Sequence, residues 1–258
     1  MLPPFAPRPP GSPRRSRRGI VLLPSLITVG NLFCGYACVV YAMRGDLSVA
    51  APFIGVAIIL DMLDGRIARF TETTSQFGVE FDSLADMVSF GLAPAVLAFA
   101  WGLSTLGRVG WAAGFLYVSA TAFRLARFNI QTGPQLDKRY FVGMPSPAAA
   151  GVVAATVFQF PYPITSWPAS FSAAVVMLLP AILMVSTIRF RSFKAINFGW
   201  GRSYVPVFLF VAFIAFIYSE PQLTLVIISY GYLLSAFVGL LISRLRPGRT
   251  PPPAAAGS

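Results

Sequence analysis

"DMLDGRIARFTETTSQFGVEFDSLAD", residues 61–86, interrupts a chain that is otherwise mostly apolar. It holds four aspartates and two glutamates, so six of the nine acidic residues in the sequence fall in this one segment. Apolar runs flank it, "LSVAAPFIGVAIIL" before it (47–60) and "MVSFGLAPAVLAFAW" after it (87–101). Asp61 and Asp64 are three residues apart at the end of the first run and share a helix face. Asp82 and Asp86 are four apart at the start of the second, and share a face too. "TETTSQFG" (71–78) supplies the turn between them. Two antiparallel helices joined this way point four carboxylates at one spot.

Composition fixes the solvent around that hairpin. Of 258 residues, 56% are hydrophobic and 11% charged, with a mean hydropathy of +0.70. A soluble domain carries about a quarter charged residues. Apolar runs recur from residue 20 almost to the end, which predicts an all-α, polytopic membrane protein. The first run begins too far in, and too many follow, for a cleaved signal peptide. Eight spans are expected, at 20–42, 47–66, 85–104, 109–128, 146–163, 169–188, 205–219 and 222–243. Cys34 and Cys38, one helical turn apart in the first span, read as small apolar packing residues with no disulfide framework.

A net charge of +11 raises the question of nucleic acid, but its distribution speaks for a membrane. When the spans alternate, eighteen of the twenty basic residues fall on one side, and only Arg44 and Arg108 on the other. By the positive-inside rule both termini and the acidic segment are cytoplasmic. Residues 1–18 and 246–258 are rich in proline and arginine and are expected to be disordered arms near anionic headgroups.

Four carboxylates gathered at a membrane boundary repel unless a cation joins them. Hard divalent ions prefer oxygen ligands, and Mg²⁺ or Mn²⁺ suits such a cluster. Two ions about 3.5–4 Å apart are a recurring device for phosphoryl displacement. Gly65, Ala68 and Gly78 permit close approach of a flat ligand or of another helix. Arg66 and Arg69 add positive charge where a diphosphate would want it. Ordinary solvated loop charge suits Glu72 and Glu80, whereas intramembrane aspartates are functional by default. A divalent-metal transporter would need polar positions through several spans, and the other six lack mid-span acids. The chain has no histidine, so any general base must be another group.

The pattern D-x-x-D-G-x-x-A-R-x(8)-G-x(3)-D-x(3)-D is filled at every specified position from Asp61 to Asp86. It closely resembles the signature of the CDP-alcohol phosphatidyltransferase family. "LITVGNLFCGY" (26–36), "DSLADMVSFGLAPA" (82–95), "FRLARFN" (123–129) and "FVGMPSPAAA" (141–150) are similar to the branch of that family that uses serine. The resemblance covers most of residues 22–155; the last three spans match only as generic apolar helices.

The resemblance implies a bundle of about eight transmembrane helices around a cytoplasm-facing polar cavity, with a core over 19–200 and additional C-terminal helices over 201–245. It implies transfer of a phosphatidyl group from CDP-diacylglycerol to an alcohol, with release of CMP. Asp61, Asp64 and Asp82 would ligate metal, and Asp86 would complete the second of two Mg²⁺ or Mn²⁺ sites and serve as base. Gly65, Ala68 and Gly78 would line the cytidine side, Arg69 would lie near the phosphates, and Asn31 would belong to the donor site. L-serine is the expected acceptor, its carboxylate held by Arg124 and Arg127 with Asn129 beside them. Charge alone leaves glycerol 3-phosphate open, and the shared motif also admits inositol phosphate or choline. Lys138 and Arg139 in the next loop read equally well as membrane anchors. A homodimer in a bacterial inner membrane, in contact with membrane lipids and with no nucleic-acid partner, completes the expectation.

Overall fold

The computed structural model describes residues 18–70, 76–130, 140–186, 189–191, 208, 211, 215–216 and 218–245. Helix α1 (Arg18–Arg44) and helix α2 (Leu47–Phe70) form an antiparallel hairpin. The turn between them is a Schellman motif. Gly45 takes φ +83°, its N–H bonds the Ala42 carbonyl at 3.0 Å, and the Asp46 N–H bonds the Tyr41 carbonyl at 3.0 Å. The Asp46 carbonyl then accepts the Ala50 N–H at 2.9 Å and starts α2. Small side chains line the seam: Ala37, Cys38 and Ala42 from α1, and Ala50, Ala51 and Ala57 from α2, are buried. In a bilayer, where lipid is as apolar as leucine, close approach of small residues drives helix association. Cys34 and Cys38 are buried free thiols, as their spacing suggested.

The third crossing is compound. Helix α3 (Gln76–Asp86), a π-helical turn (Met87–Leu92) and helix α4 (Ala93–Trp101) run on as one apolar stretch, Gln76–Trp101. Sequence patterning starts this span at residue 85, and the structure starts it at Gln76. Glu80, Asp82 and Asp86 lower the hydropathy of α3, but the helix stays intact, with Asp86 hydrogen-bonded to Asn31 of α1. The π turn meets α1 at Gly35, where an added Cβ would lie 2.8 Å from the Ser89 Cα. Only glycine permits that approach. Single π turns inside α-helices gather at functional sites, and this one begins directly after Asp86.

A 3₁₀ turn (Leu103–Leu106) leads into α5 (Arg108–Ile130), followed by α6 (Ser146–Gln159), α7 (Trp167–Val185) and α8 (Pro221–Leu245). Among the described residues, five helical stretches are long and apolar enough to cross a membrane: Ser25–Arg44, Leu47–Ile67, Gln76–Trp101, Arg108–Ile130 and Trp167–Val185. Ser146–Gln159 and Pro221–Ser235 are shorter apolar helices. The expected span at 205–219 falls largely outside the described residues, as do the arms at 1–17 and 246–258. The bundle is all-α as expected, with one short ribbon added. Tyr140–Val142 (β1) pairs antiparallel with Arg189–Arg191 (β2), Phe141 opposite Phe190. With β1 just before α6 and β2 just after α7, the ribbon ties the start of one helix to the end of the other.

Cross-helix bonds gather six helix ends together. Thr28 of α1 reaches Asp64 of α2, Ser83 of α3 reaches Asn129 of α5, and Arg124 of α5 reaches Ser146 of α6. The Met144 N–H, just before α6, bonds the Leu183 carbonyl of α7 at 3.0 Å. With Asn31 of α1 also bonded to Asp86 of α3, the N-terminal half of α1, the end of α2, the end of α3 (early in the third crossing), the end of α5, the start of α6 and the end of α7 share one end of the bundle.

Candidate active site

That end carries the acidic residues. Asp61 and Asp64 sit three apart on α2, and Asp82 and Asp86 four apart on α3. Carboxylate oxygens of Asp61, Asp64 and Asp82 lie within 4.8 Å of one another. Asp64 is 5% exposed, and Asp61 and Asp82 are half-buried. Two negative charges at such a distance repel by about 3–4 kcal/mol at an effective dielectric of ~20. The Asp82 Oδ1 is buried with no hydrogen-bond partner, a state that buried polar atoms rarely keep. Converging oxygen donors, mutual repulsion and an orphaned carboxylate oxygen together fit a divalent cation. The residues present suit the group.

Asp86 stands apart from that trio. It lies one helical turn beyond Asp82, is 9% exposed, and accepts a hydrogen bond from the Asn31 Nδ2 at 3.2 Å. Asn31, expected at the donor site, is fully buried on α1. Its backbone carbonyl accepts the Ser89 hydroxyl at 2.9 Å. One turn earlier on α1, the Thr28 hydroxyl donates to the Asp64 Oδ2 at 3.1 Å.

Around the acids the small residues separate into two kinds. A Cβ built on Gly65 meets nothing within 4 Å, so helix packing does not explain this glycine and the space beside it suits a ligand. Gly78 is half-buried at the start of α3. Ala68 and Arg69 continue α2, but their side chains lie outside the described residues.

Arg124, the arginine expected to hold an acceptor, lies near the end of α5. Arg124 donates through Nη1 to the Ser146 Oγ at 2.7 Å, and its Nε is buried with no partner. The guanidinium lies within electrostatic reach of Asp86 and Asp61, and also of Tyr232 on α8. Arg127, one turn along α5, is half-buried. The Asn129 Nδ2 donates to the Ser83 Oγ at 3.0 Å, on the helix that carries Asp82 and Asp86. The structure thus brings Arg124 toward the acids and ties Asn129 to α3. Lys138 and Arg139 lie outside the described residues.

Sequence reasoning did not single out Thr28, Ser83, Ser89, Ser146 or Tyr232. The available signal was a polar residue inside an apolar run, since a buried hydroxyl in a membrane helix needs a partner. Thr28 and Asn31 gave that signal together, three residues apart in the first span.

A family model described as CDP-alcohol phosphatidyltransferase matches residues 21–186. The chain is also similar to proteins named CDP-diacylglycerol–serine O-phosphatidyltransferase. The one from Helicobacter pylori (strain ATCC 700392 / 26695) is 37% identical over 226 residues, 86% of this chain and 89% of that protein. The one from Mycobacterium leprae is 35% identical over 226 residues, 85% of this chain and 75% of that protein. The one from Bacillus subtilis is 34% identical over 183 residues, 70% of this chain and 97% of that protein. The four aspartates, Asn31 and Arg124 all fall within the family match, and α8 falls beyond it.

Proposed function

The chain belongs to the CDP-alcohol phosphatidyltransferase family, and from that premise we propose that it transfers the phosphatidyl group of CDP-diacylglycerol to the hydroxyl of L-serine, giving phosphatidylserine and CMP. The observation that carries the reading is the convergence of Asp61, Asp64 and Asp82, with Asp86 one turn further along α3. Serine as acceptor is supported by the names of relatives at 34–37% identity. The site lies on the cytoplasmic side by the charge asymmetry, so the lipid tails remain in the bilayer while the headgroup reacts at its edge.

Asp61, Asp64 and Asp82 would hold one divalent cation, and Asp86 would complete a second site, with Mg²⁺ or Mn²⁺ the suited ions. Bound there, the cations neutralise charge on the diphosphate and on the departing CMP. An alcohol at neutral pH is a poor nucleophile, so a base is needed. Asp86 accepts the hydroxyl proton as the serine oxygen bonds to the phosphorus that carries diacylglycerol. The bond from that phosphorus to the CMP oxygen breaks, and CMP leaves. Gly65, Ala68 and Gly78 flank the cytidine, Arg69 the phosphates. Arg124, with its free Nε, holds the serine carboxylate from one fixed side, and Arg127 adds positive charge beside it.

The test is a panel of acceptors on purified protein in lipid nanodiscs with CDP-diacylglycerol and Mg²⁺ or Mn²⁺. Metal-dependent CMP release with serine is expected. Release with glycerol 3-phosphate, inositol phosphate or choline, and none with serine, would reassign the acceptor. Movement of metal without any CMP release would replace the transferase with a transporter.

A further inference from the structure

Helix α1 carries none of the aspartates, yet two of them are held from it. Thr28 and Asn31 sit three residues apart on α1, 5% and 0% exposed. Two polar side chains buried in an apolar helix are costly unless they are hydrogen-bonded. Both find a carboxylate, and each finds one on a different helix. The Thr28 Oγ1 donates to the Asp64 Oδ2 at 3.1 Å, and the Asn31 Nδ2 donates to the Asp86 Oδ1 at 3.2 Å. Four residues on from Asn31, Gly35 lets α1 approach the Ser89 backbone, whose hydroxyl binds the Asn31 carbonyl at 2.9 Å. Thr28, Asn31 and Gly35 follow an i, i+3, i+7 spacing, which is one stripe of a helix.

We propose that this stripe of α1 is a brace in which Thr28 and Asn31 are positioning residues with separate tasks: Thr28 orients Asp64 for cation binding, and Asn31 orients Asp86 for proton transfer. The separation follows from the geometry. Asp64 belongs to the trio whose oxygens converge within 4.8 Å, and Asp86 does not. A donor on one carboxylate oxygen fixes the rotamer and leaves the remaining lone pairs aimed at the site. Asn31 has a second mark of such a role. Its Oδ1 is buried without a partner, which a residue placed for packing alone would not leave. The Ser89 bond and the Gly35 contact anchor the brace to the π turn directly after Asp86, so α1 sets the position of that aspartate along the third crossing.

The inference rests on the aspartate site proposed above, and the test keeps the two apart. Mn²⁺ binding is measured by electron paramagnetic resonance on purified protein in nanodiscs, without either substrate. The rate constant kcat is measured with both substrates saturating. Thr28→Val removes the hydroxyl and keeps the shape, and is expected to weaken Mn²⁺ binding about ten- to a hundred-fold. Thr28→Ser keeps the hydroxyl and should bind Mn²⁺ as the parent does. Asn31→Leu should leave Mn²⁺ binding to the trio little changed while lowering kcat about ten- to a hundred-fold. That loss should vanish in an Asp86→Asn background, where no proton-accepting carboxylate is left for Asn31 to orient. Parent-like Mn²⁺ binding by Thr28→Val overturns the proposal, as does an equal loss in Thr28→Ser. So does a kcat loss from Asn31→Leu that persists in the Asp86→Asn background. Asp61→Ala is the control. If it too binds Mn²⁺ like the parent, the aspartate site itself is wrong and the brace falls with it; if it loses binding while Thr28→Val does not, the brace alone is wrong.

Discussion

Asp82 and Asp86 are neighbours on one helix face and differ in what touches them. Asp82 joins the trio and keeps a buried oxygen without a partner, while Asp86 lies beyond the trio with Asn31 on its Oδ1. Asp61→Ala, Asp64→Ala and Asp82→Ala are therefore expected to lose Mn²⁺ binding and transfer together. Asp86→Asn should keep more nucleotide binding than transfer, because the amide oxygen still approaches a cation but the side chain accepts no proton. A fall in kcat of about a hundred- to ten-thousand-fold is expected for loss of a general base, and near-parent turnover would remove Asp86 from that role. Arg124 carries the second expectation at this scale. Arg124→Lys keeps the charge but loses the planar fork, at a cost of about 1.5–3 kcal/mol for one charged hydrogen bond. Serine KM should rise about ten- to a hundred-fold with CDP-diacylglycerol KM little changed; a change in the donor KM alone would move Arg124 to the diphosphate side. The aspartates were legible because charges in an apolar run at helical spacing report a shared face without help from the rest of the chain. Their partners were not. Which residue of α1 meets Asp64 or Asp86 depends on the rotation of α1 about its own axis, set by Gly35 against Ser89, and no local pattern encodes that angle.

Two glycines on neighbouring helices make opposite demands on their elements. A Cβ on Gly35 would lie 2.8 Å from the Ser89 Cα, on backbone that cannot swing aside. Overpacking of this kind costs about 1–3 kcal/mol, so Gly35→Ala should lower the melting temperature and, by shifting the π turn, the activity. On Gly65 the same Cβ meets nothing within 4 Å, and alanine is favoured over glycine in a helix by about 0.8–1.0 kcal/mol. Gly65→Ala should melt no lower than the parent, yet raise the KM for CDP-diacylglycerol. Fluorescence melting beside steady-state kinetics checks both, and a Gly65→Ala protein that melts lower at unchanged KM would make Gly65 a packing residue. The elements themselves were mostly legible as apolar runs, except where polar residues sit inside a helix or apolar ones outside it. The third crossing begins at Gln76 although α3 carries Glu80, Asp82 and Asp86, so a hydropathy window starts it late. The sixth helix ends at Gln159, short of the expected residue 163. Its 14 residues reach about 21 Å at the usual rise per residue. The following loop is apolar but tied elsewhere: the Trp101 Nε1 donates to the Phe160 carbonyl at 2.8 Å and the Thr105 Oγ1 to the Ile164 carbonyl at 2.8 Å.

Across the whole molecule, the apolar exterior and the basic residues make one geometric statement. Phe115, Val175 and Ile182, on long apolar helices, are each more than half exposed, as side chains facing lipid would be. With the eight spans expected from the sequence placed in alternation, eighteen of the twenty Lys and Arg residues fall on one side. The bonds that join α1, α2, α3, α5, α6 and α7 at the aspartate end agree with that alternation, and Arg44 and Arg108 close their helices at the other end. On the proposed function the aspartate end faces the cytoplasm, the orientation that the positive-inside rule favours and the side from which a soluble acceptor would come. Single cysteines placed in a chain lacking Cys34 and Cys38 test this in oriented membrane vesicles with an impermeant thiol reagent. Cysteines at Arg15, Thr73, Lys138 and Arg191 should react from the cytoplasmic side, and those at Arg44, Arg108 and Glu220 from the opposite side. Thr73 follows α2 and Arg108 opens α5, with one crossing, Gln76–Trp101, between them. Labelling of Thr73→Cys and Arg108→Cys from the same side would mean that this stretch does not cross, and the aspartates it carries would have to be placed on the membrane anew.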